Sequence, residues 1–331
     1  MNGKKNILIV AGGYSNEWKV SLKSAKGIYE ALDKERYNAH IAIISHGKWD
    51  VTLNDGATTP INKNDFSYVD ELGTCVSPDL AYVTIHGSPG EDGLLEGYFD
   101  MLGIRYSCCG ALTCGITANK FVCVNYLKSL GIKVAESIRF TAHSVRPSDE
   151  EIGQRLGWPL FVKPSDGGGS SFGVSKVYKA SELNGAIKKV FAEGSEVMVE
   201  SLIEGTEVTC GCYKTEEETV VFPITEIVTS NEFFDFDAKY NGKSQEITPA
   251  RLPKEIQTRV KDITLRIYDY ICAKGLIRVD YIIPSDGQPV LLEVNITPGM
   301  TDTSFIPQQI RAAGMETQQV LTNIIENVLK A

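Results

Sequence analysis

The segment LIRVDYIIPSDGQPVLLEVN (residues 276–295) constrains the fold most strongly, because two apolar runs flank a turn signal. The dipeptide Asp286-Gly287 favours a tight turn between two strands. A turn centred there places Ser285 opposite Gln288. A four-residue loop from Ser285 to Gln288 gives the same register. The segment is therefore predicted to form an antiparallel hairpin.

This register places Asp280 opposite Glu293 and Arg278 opposite Asn295. Side chains alternate between the two faces of a strand, so these four polar residues share one face. The opposite face is predicted to be a core face. It consists of Val279, Tyr281, Ile283, Val290, Leu292 and Val294.

Two carboxylates that face each other on neighbouring strands repel, so a positive group is expected between Asp280 and Glu293. Carboxylate and amide oxygens suit a hard cation such as Mg²⁺, which often takes one or two carboxylates together with phosphate oxygens. A solvated face that tolerates the repulsion is the alternative. The presence of Arg278 and Asn295 on the same face favours a metal-dependent site.

A second motif, VKPSDGGGSSFG (residues 162–173), predicts where phosphates bind. Lys163 ends a predicted strand, and a loop rich in glycine and serine leads to the next strand. Glycines allow backbone N–H groups to approach phosphate oxygens, and the lysine supplies a positive charge. The Walker pattern G-x-x-x-x-G-K-[ST] is absent from the sequence. A plain flexible turn is the alternative to a nucleotide site.

The length of 331 residues predicts two or three domains. Strands and helices alternate over the first hundred residues, which favours a doubly wound parallel sheet. A second unit is predicted to begin near Ala111. A third contains the 276–295 hairpin and a C-terminal helix.

Charge and hydropathy exclude several classes of protein. The net charge of −9 argues against a nucleic-acid binder. No apolar run is long enough for a membrane span or a signal peptide, so a cytoplasmic protein is expected. The eight cysteines lack paired metal-ligand spacing and are expected to be reduced thiols.

Five stretches resemble the ATP-grasp enzymes and, among them, the D-alanine–D-alanine ligases. They span nearly the whole chain in the order that the family shows. They are GGYSNEWKVSLKSA, IHGSPGEDGLLEGYFDMLGI, VKPSDGGGSSFGVSKV, FDFDAKY and RVDYIIPSDGQPVLLEVNITPGMTDTSFIP.

The resemblance implies a three-domain α/β fold of the ATP-grasp type, in which two α+β domains grip ATP. The expected domains are an N-terminal substrate-binding domain (1–110), a central domain with the glycine-rich loop (111–203) and a C-terminal domain with the metal and catalytic residues (204–331). The implied reaction joins two D-alanines through an acyl phosphate and releases ADP and phosphate, for the synthesis of peptidoglycan precursors. A homodimer is implied as well.

The resemblance also implies roles for individual residues. It places ATP contacts at Lys120, Lys163, Gly169, Ser171, Glu200, Ser201, Ile203 and Glu207. It assigns two Mg²⁺ (or Mn²⁺) ions to Asp280, Glu293 and Asn295. It places the catalytic groups at Glu17, Ser170, Tyr240, Arg278 and the N–H of Gly299, and further substrate contacts at His86, Lys239, Ser304 and Phe305.

Within these roles, Glu17 is expected to hold the ammonium group of the first D-alanine and His86 to lie beside its carboxylate. The glycine-rich loop has one more residue than the family pattern between Lys163 and its Ser-Ser pair, so Ser171 is the alternative to Ser170. Phe305 stands where the family has leucine, next to the pocket for the second amino acid.

Three other functions fit parts of the pattern. The first is a ligase that joins D-alanine to a different second residue, or another ATP-grasp carboxylate–amine ligase. The second is a kinase-like phosphotransferase, although the HRD and DFG motifs are absent from the sequence. The third is a non-catalytic nucleotide-binding module, which the two carboxylates and Arg278 disfavour.

Overall fold

The computed structural model describes residues 3–166, 173–192, 194–229 and 244–330. In this part of the chain the strands form three main sheets and one two-stranded ribbon. No helix among the described residues is both long and apolar enough to cross a lipid bilayer. All eight cysteines lie within these ranges and are free thiols.

The N-terminal sheet is parallel at its centre and antiparallel at one edge. Its elements, with the ribbon β5–β6, are β1 (Lys5–Gly12), α1 (Trp18–Ala31), β2 (Tyr37–Ser45), β3 (Lys48–Thr52), β4 (Thr58–Pro60), β5 (Tyr68–Val69), β6 (Cys75–Val76), β7 (Leu80–Val83) and α2 (Leu94–Leu102). Strands β2, β1 and β7 are parallel neighbours, as predicted. Strands β3 and β4 extend the sheet in antiparallel fashion, which the alternation of strands and helices did not predict.

Strand β1 is apolar on both faces because helices cover both. Ile7 and Ile9 pack with α1 and with the C-terminal helix of the chain, whereas Leu8 and Val10 pack on the other face with α2. The predicted doubly wound arrangement is therefore confirmed at the centre of the sheet.

The central sheet is antiparallel, in the order β10-β9-β11-β8. The elements from residue 111 to its last strand are α3 (Ala111–Ala118), α4 (Lys120–Ser129), β8 (Ser137–Thr141), α5 (Asp149–Leu156), β9 (Leu160–Pro164), β10 (Ser175–Val177), α6 (Ala180–Phe191) and β11 (Glu196–Ser201). Helices α5 and α6 cover one face of this sheet through residues such as Ile152 and Leu183. Helices α3 and α4 instead share a core with the third sheet, through Cys114 and Leu127.

The third sheet has the order β15-β14-β12-β16-β17, with β13 paired to β12. Its elements are β12 (Thr206–Lys214), β13 (Thr219–Val221), β14 (Thr225–Thr229), β15 (Ser244–Ile247), α7 (Lys254–Tyr270), β16 (Ile277–Ile283), β17 (Val290–Asn295), α8 (Phe305–Ala312) and α9 (Thr317–Lys330). Helix α9 also packs on the N-terminal sheet, where Tyr37 donates a hydrogen bond to Glu326 at 2.7 Å.

The hairpin β16–β17 pairs Asp280 with Glu293 and Arg278 with Asn295, so the predicted register of these four residues is confirmed. The turn lies one residue earlier than predicted, because the N–H of Gly287 donates to the carbonyl oxygen of Pro284 at 2.9 Å.

A register shift between Asp280 and Tyr281 compensates for the displaced turn, so that Tyr281 faces Leu291. The predictions that Val290 and Leu292 lie on the core face are therefore wrong, because Val290 faces Ile282 rather than Ile283. Leu291 is buried in the core, and Leu292 is half-buried. The extra residue of the bulge turns the Leu292 side chain to the other face of the sheet.

Glu96 on α2 is a buried carboxyl in the N-terminal domain. It is 0% exposed, and its Oε1 accepts a hydrogen bond from the Cys108 thiol at 3.4 Å. Its Oε2 has no hydrogen-bond partner among the described residues. Burial raises the pKa of the Glu96 carboxyl from 4.5 to about 7.

We expect this carboxyl to make stability fall as pH rises from about 4.5 to 7, because over that window the folded state keeps a proton that the unfolded chain releases. Glu96→Gln stays neutral at every pH. As pH rises from 5 to 8, its free energy of unfolding should therefore increase by about 1–3 kcal/mol relative to that of wild type. Thermal unfolding of both proteins as a function of pH measures this difference. A difference that is constant over this range would contradict the assignment.

Candidate active site

A cleft of about 880 Å³ lies where the three sheets meet. Every predicted site residue that the structure describes lines this cleft. These residues are Glu17, His86, Lys120, Lys163, Glu200, Ser201, Ile203, Glu207, Arg278, Asp280, Glu293, Asn295, Gly299, Ser304 and Phe305. The other predicted site residues, Gly169, Ser170, Ser171, Lys239 and Tyr240, lie outside the described residues.

The polar face of the β16–β17 hairpin forms one wall of the cleft. Arg278 donates two hydrogen bonds to the Asp280 carboxylate, at 2.9 and 2.8 Å. Thr209 on β12 donates to the same carboxylate at 2.5 Å, and the amide of Asn295 donates at 3.1 Å. Asp280 is only 6% exposed, so its charge is balanced by Arg278 and fixed by hydrogen bonds from the two neighbouring strands.

This wall suits a cation that takes most of its ligands from elsewhere. Among the described residues, no group of three or more His, Cys, Asp or Glu side chains is placed to hold a metal ion. Asp280 and Glu293 instead face each other on adjacent strands, with the Asn295 side chain beside them. Two carboxylates and an amide fit Mg²⁺ when phosphate oxygens supply further ligands.

The central sheet contributes a buried ion pair. Lys163 on β9 and Glu200 on β11 lie 2.6 Å apart, and each residue is 7% exposed. A charge pair so far removed from water is screened little, so each partner is held in place by the other.

The N-terminus of α4 points to the same part of the cleft. Asn119 caps this helix by accepting a hydrogen bond from the N–H of Val122 at 3.1 Å. Ser165, which follows β9, donates to Asn119 at 2.7 Å and accepts from the N–H of Lys120 through its carbonyl oxygen at 2.8 Å. A helix N-terminus with a lysine as its first residue provides a favourable position for anionic groups.

Sequence reasoning missed several apolar residues that line the cleft, among them Phe161 and Leu292. Phe161 lies two residues before Lys163 on β9 and therefore shares its face, so strand alternation could have identified it. Leu292 reaches the cleft only because of the bulge in β17, for which the sequence carries no clear signal.

Glu246 on β15 also lines the cleft and was missed. It accepts a hydrogen bond from Gln308. Burial raises the pKa of the Glu246 carboxyl, although the hydrogen bond from Gln308 and the charge of Arg278 act in the opposite direction. No motif surrounds this residue in the sequence.

The N-terminal domain supplies the opposite wall. Glu17 is the N-cap residue of α1, and its N–H donates to Ser15 Oγ at 3.2 Å. Ser15 in turn donates to the carbonyl oxygen of His86 at 2.6 Å, which joins the loops that carry Glu17 and His86. His86 is 8% exposed, and its Nε2 has no hydrogen-bond partner in the described part of the chain. A buried, unsatisfied ring nitrogen in a cleft wall is a candidate contact for a ligand.

The loop after β17 completes the site. A Cβ atom at Gly299 would lie 2.8 Å from Ser304 Oγ, so glycine allows the backbone and this hydroxyl to approach closely. Ser304 is the N-cap residue of α8 and pairs with the Thr301 hydroxyl at 2.7 Å. Phe305 packs its ring against the Arg278 guanidinium, whose central carbon lies 5.3 Å from the ring centroid.

Comparison with known proteins gives a consistent result over the whole length of the chain. Residues 6–109 match the family model for the D-ala D-ala ligase N-terminus, and residues 126–326 match that for the D-ala D-ala ligase C-terminus. The D-alanine–D-alanine ligase of Parabacteroides distasonis is 60% identical over 328 residues, covering 99% of this chain and 98% of that protein. The one from Bacteroides fragilis is 54% identical over 324 residues, covering 98% and 99%.

Solved structures show the same fold. The VanG D-Ala:D-Ser ligase from Enterococcus faecalis aligns with a TM-score of 0.88 at 30% identity, covering 98% of this chain and 100% of that one. The D-alanine–D-alanine ligase from Bacillus anthracis complexed with ATP aligns with a TM-score of 0.77 at 31% identity, covering 98% of each chain. The predicted ATP-grasp architecture is thereby confirmed.

The buried Lys163–Glu200 pair generates a prediction about stability. Glu200→Gln leaves the Lys163 ammonium without a charged partner, so the free energy of unfolding without nucleotide should fall by about 1–3 kcal/mol. The matched control is Glu136→Gln, which breaks the exposed Lys128–Glu136 pair and should cost less than about 1 kcal/mol. Thermal unfolding of the two variants measures both effects. Equal losses in both would show that the buried pair does not hold Lys163.

Proposed function

This chain belongs to the D-alanine–D-alanine ligase family, and we propose that its cleft binds ATP and two D-alanines and joins them into D-alanyl-D-alanine. The product is a precursor for peptidoglycan. The observation that carries the proposal is the convergence of the family's implied nucleotide, metal and amino-acid residues from three sheets on one cleft.

ATP is placed between the central and C-terminal sheets. Lys163 and Lys120, beside the N-terminus of α4, contact its phosphates. Glu200, Ser201, Ile203 and Glu207 contact the adenine and ribose, next to the apolar side chains of Phe161 and Leu292.

Two Mg²⁺ ions would be held by Asp280, Glu293 and Asn295. Bound there, they would neutralise charge on the terminal phosphates of ATP and weaken the repulsion of an attacking carboxylate. The donor set supports this assignment, because Mg²⁺ takes carboxylate and amide oxygens together with phosphate oxygens.

The first D-alanine binds against the N-terminal domain. Glu17 pairs with its ammonium group, and the unsatisfied His86 Nε2 lies beside its carboxylate. A carboxylate is a poor electrophile because it is anionic and lacks a good leaving group. Transfer of the terminal phosphoryl group of ATP to one carboxylate oxygen gives an acyl phosphate and ADP.

The amine of the second D-alanine then attacks the acyl carbon and loses a proton, while phosphate leaves with the electrons of the broken carbon–oxygen bond. Arg278 and the N–H of Gly299 face the oxyanion of the tetrahedral intermediate. Ser304 contacts the carboxylate of the second D-alanine, next to Phe305. The family's remaining site residues lie outside the described residues and are proposed to complete the site. They are Ser170 or its neighbour Ser171, Lys239 and Tyr240.

The identity of the second substrate distinguishes the main proposal from its alternative. The structural relative VanG is a D-Ala:D-Ser ligase at 30% identity. The Parabacteroides and Bacteroides relatives at 60% and 54% identity are D-alanine–D-alanine ligases. The higher identity favours D-alanine as the second substrate.

The chain is further proposed to act in the cytoplasm as a homodimer of three-domain subunits, with domain boundaries near residues 110 and 203. Exposed apolar side chains on α2 and α3 support a protein interface that includes both helices. They are Leu94, Met101 and Leu112.

Phosphate release from ATP with a panel of D- and L-amino acids, together with mass detection of the product, tests the proposed function. We expect release that depends on D-alanine and yields D-alanyl-D-alanine. A mixed dipeptide in the presence of D-serine at equal concentration would favour the alternative second substrate. Phosphate transfer to a hydroxyl group, or no turnover, would contradict a ligase.

The metal assignment predicts that Glu293→Gln loses most turnover, because one charged oxygen ligand becomes a neutral amide. The Mg²⁺ concentration that gives half-maximal activity should rise as well. Glu255→Gln, on the exposed surface of α7, is the control and should leave both quantities unchanged. Near-normal activity of Glu293→Gln with an unchanged Mg²⁺ requirement would exclude this carboxylate as a ligand.

The assignment of Glu17 predicts a selective effect on the first substrate. Glu17→Gln removes the charge that faces the ammonium group, so KM for the first D-alanine should rise far more than KM for ATP. Glu30→Gln, near the C-terminal end of the same helix, should change neither KM. An equal rise in both KM values for Glu17→Gln would place this residue outside the amino-acid pocket.

A further inference from the structure

Glu91, in the loop between β7 and α2, links two parts of the cleft that belong to different domains. Its Oε2 accepts a hydrogen bond from the N–H of Gly87 at 2.6 Å. Its Oε1 accepts one from the Thr297 hydroxyl, also at 2.6 Å. One carboxylate thus bonds the loop that follows His86 and the loop that precedes Gly299.

The Thr297 side of this link is buried and specific. Thr297 is 5% exposed, and its hydroxyl lies 3.1 Å from the carbonyl oxygen of Ile85 as well. A hydroxyl has one proton, and the shorter, charge-assisted bond to Glu91 is the stronger of the two. On the other side of Gly299, the N–H of Met300 donates to Ser24 Oγ at 3.1 Å. The backbone that carries the Gly299 N–H is therefore fixed to the N-terminal domain at both ends.

The Gly87 side fixes the peptide that follows His86. The carbonyl oxygen of His86 accepts from Ser15 Oγ, and the next N–H, that of Gly87, donates to Glu91. Since Ser15 also accepts from the N–H of Glu17, the two predicted contacts of the first substrate belong to the same hydrogen-bonded unit.

We propose that Glu91 is a positioning residue, which sets the location of the Gly299 N–H relative to the first substrate by bonding Gly87 and Thr297 with one carboxylate. The inference rests on the proposed function, in which the Gly299 N–H faces the oxyanion formed at the first substrate's carboxyl carbon. Without the link, the loop that carries the Gly299 N–H and the loops that hold the first substrate can move separately. A misplacement of about 1 Å at such a donor costs about a hundredfold in rate.

Thr297→Val tests this link with the smallest change, because it removes the hydroxyl and keeps the shape of the side chain. We expect kcat for dipeptide formation to fall by about 10–100-fold, while KM for ATP stays within about twofold of wild type. Thr297→Ser keeps the hydroxyl and should restore most of kcat. Glu91→Ala should lower kcat by at least a similar factor, because it removes the bond to Gly87 as well. The double variant should be no slower than the slower single one, because both changes remove the Glu91–Thr297 bond.

A phosphinate dipeptide analogue distinguishes positioning from a general effect on folding. Its tetrahedral phosphorus carries an anionic oxygen, so its affinity should fall in Thr297→Val by about the same factor as kcat/KM. Affinity for ADP should not change.

Three results would overturn the inference: an unchanged kcat in Thr297→Val, a failure of Thr297→Ser to restore kcat, or a loss of ADP affinity equal to the loss of analogue affinity. In each case an active wild type leaves the proposed function intact. A wild type that forms no dipeptide overturns both.

Discussion

Two carboxylates, Asp280 and Glu293, face each other across neighbouring strands in one wall of the cleft, and the rest of the site is arranged around them. Their repulsion would destabilise a bare hairpin. Arg278 and Thr209 offset part of it by bonding Asp280. Arg278 gives two of its five N–H donors to Asp280, so the same guanidinium can balance this carboxylate and face a phosphate or an oxyanion.

All three sheets contribute residues to the cleft. The N-terminal sheet carries Glu17 and His86, the central sheet carries Lys163 and Glu200, and the C-terminal sheet carries the hairpin. Hydrogen bonds fix the loops between these sheets, as Glu91 does for the loop before Gly299. Rigid contacts between domains suit a reaction in which the protein supplies position and charge rather than a nucleophile, because small displacements of donors lower the rate.

Sequence reasoning predicted the parts of the fold that depend on local pattern. The pairing of Asp280 with Glu293 followed from the Asp286-Gly287 turn and strand alternation, and the structure confirms it. The predicted pairing is kept because two differences from the prediction cancel. The turn lies one residue earlier, and β17 has a bulge at Leu292. β17 packs against α3 and α4, and no local pattern in the sequence encodes its bulge.

Features that depend on distant packing were not predicted. The packing of α9 on the N-terminal sheet depends on partners far away in the chain. The antiparallel strands β3 and β4 were missed as well, although each follows its partner strand through a short turn. The roles of individual residues came from family resemblance rather than from spacing, and those of Ser170 and Tyr240 lie outside the described residues.

Asp280 and Glu293 are proposed to bind the divalent cation that accompanies ATP, and a crystal structure of the protein with Mg²⁺ and ADP can show whether they do. We expect metal density bonded to oxygens of Asp280, Glu293 and Asn295 and to the phosphates, at about 2.1 Å. Nucleotide and Mg²⁺ bound in the cleft with no metal–oxygen bond to either carboxylate would contradict the proposal.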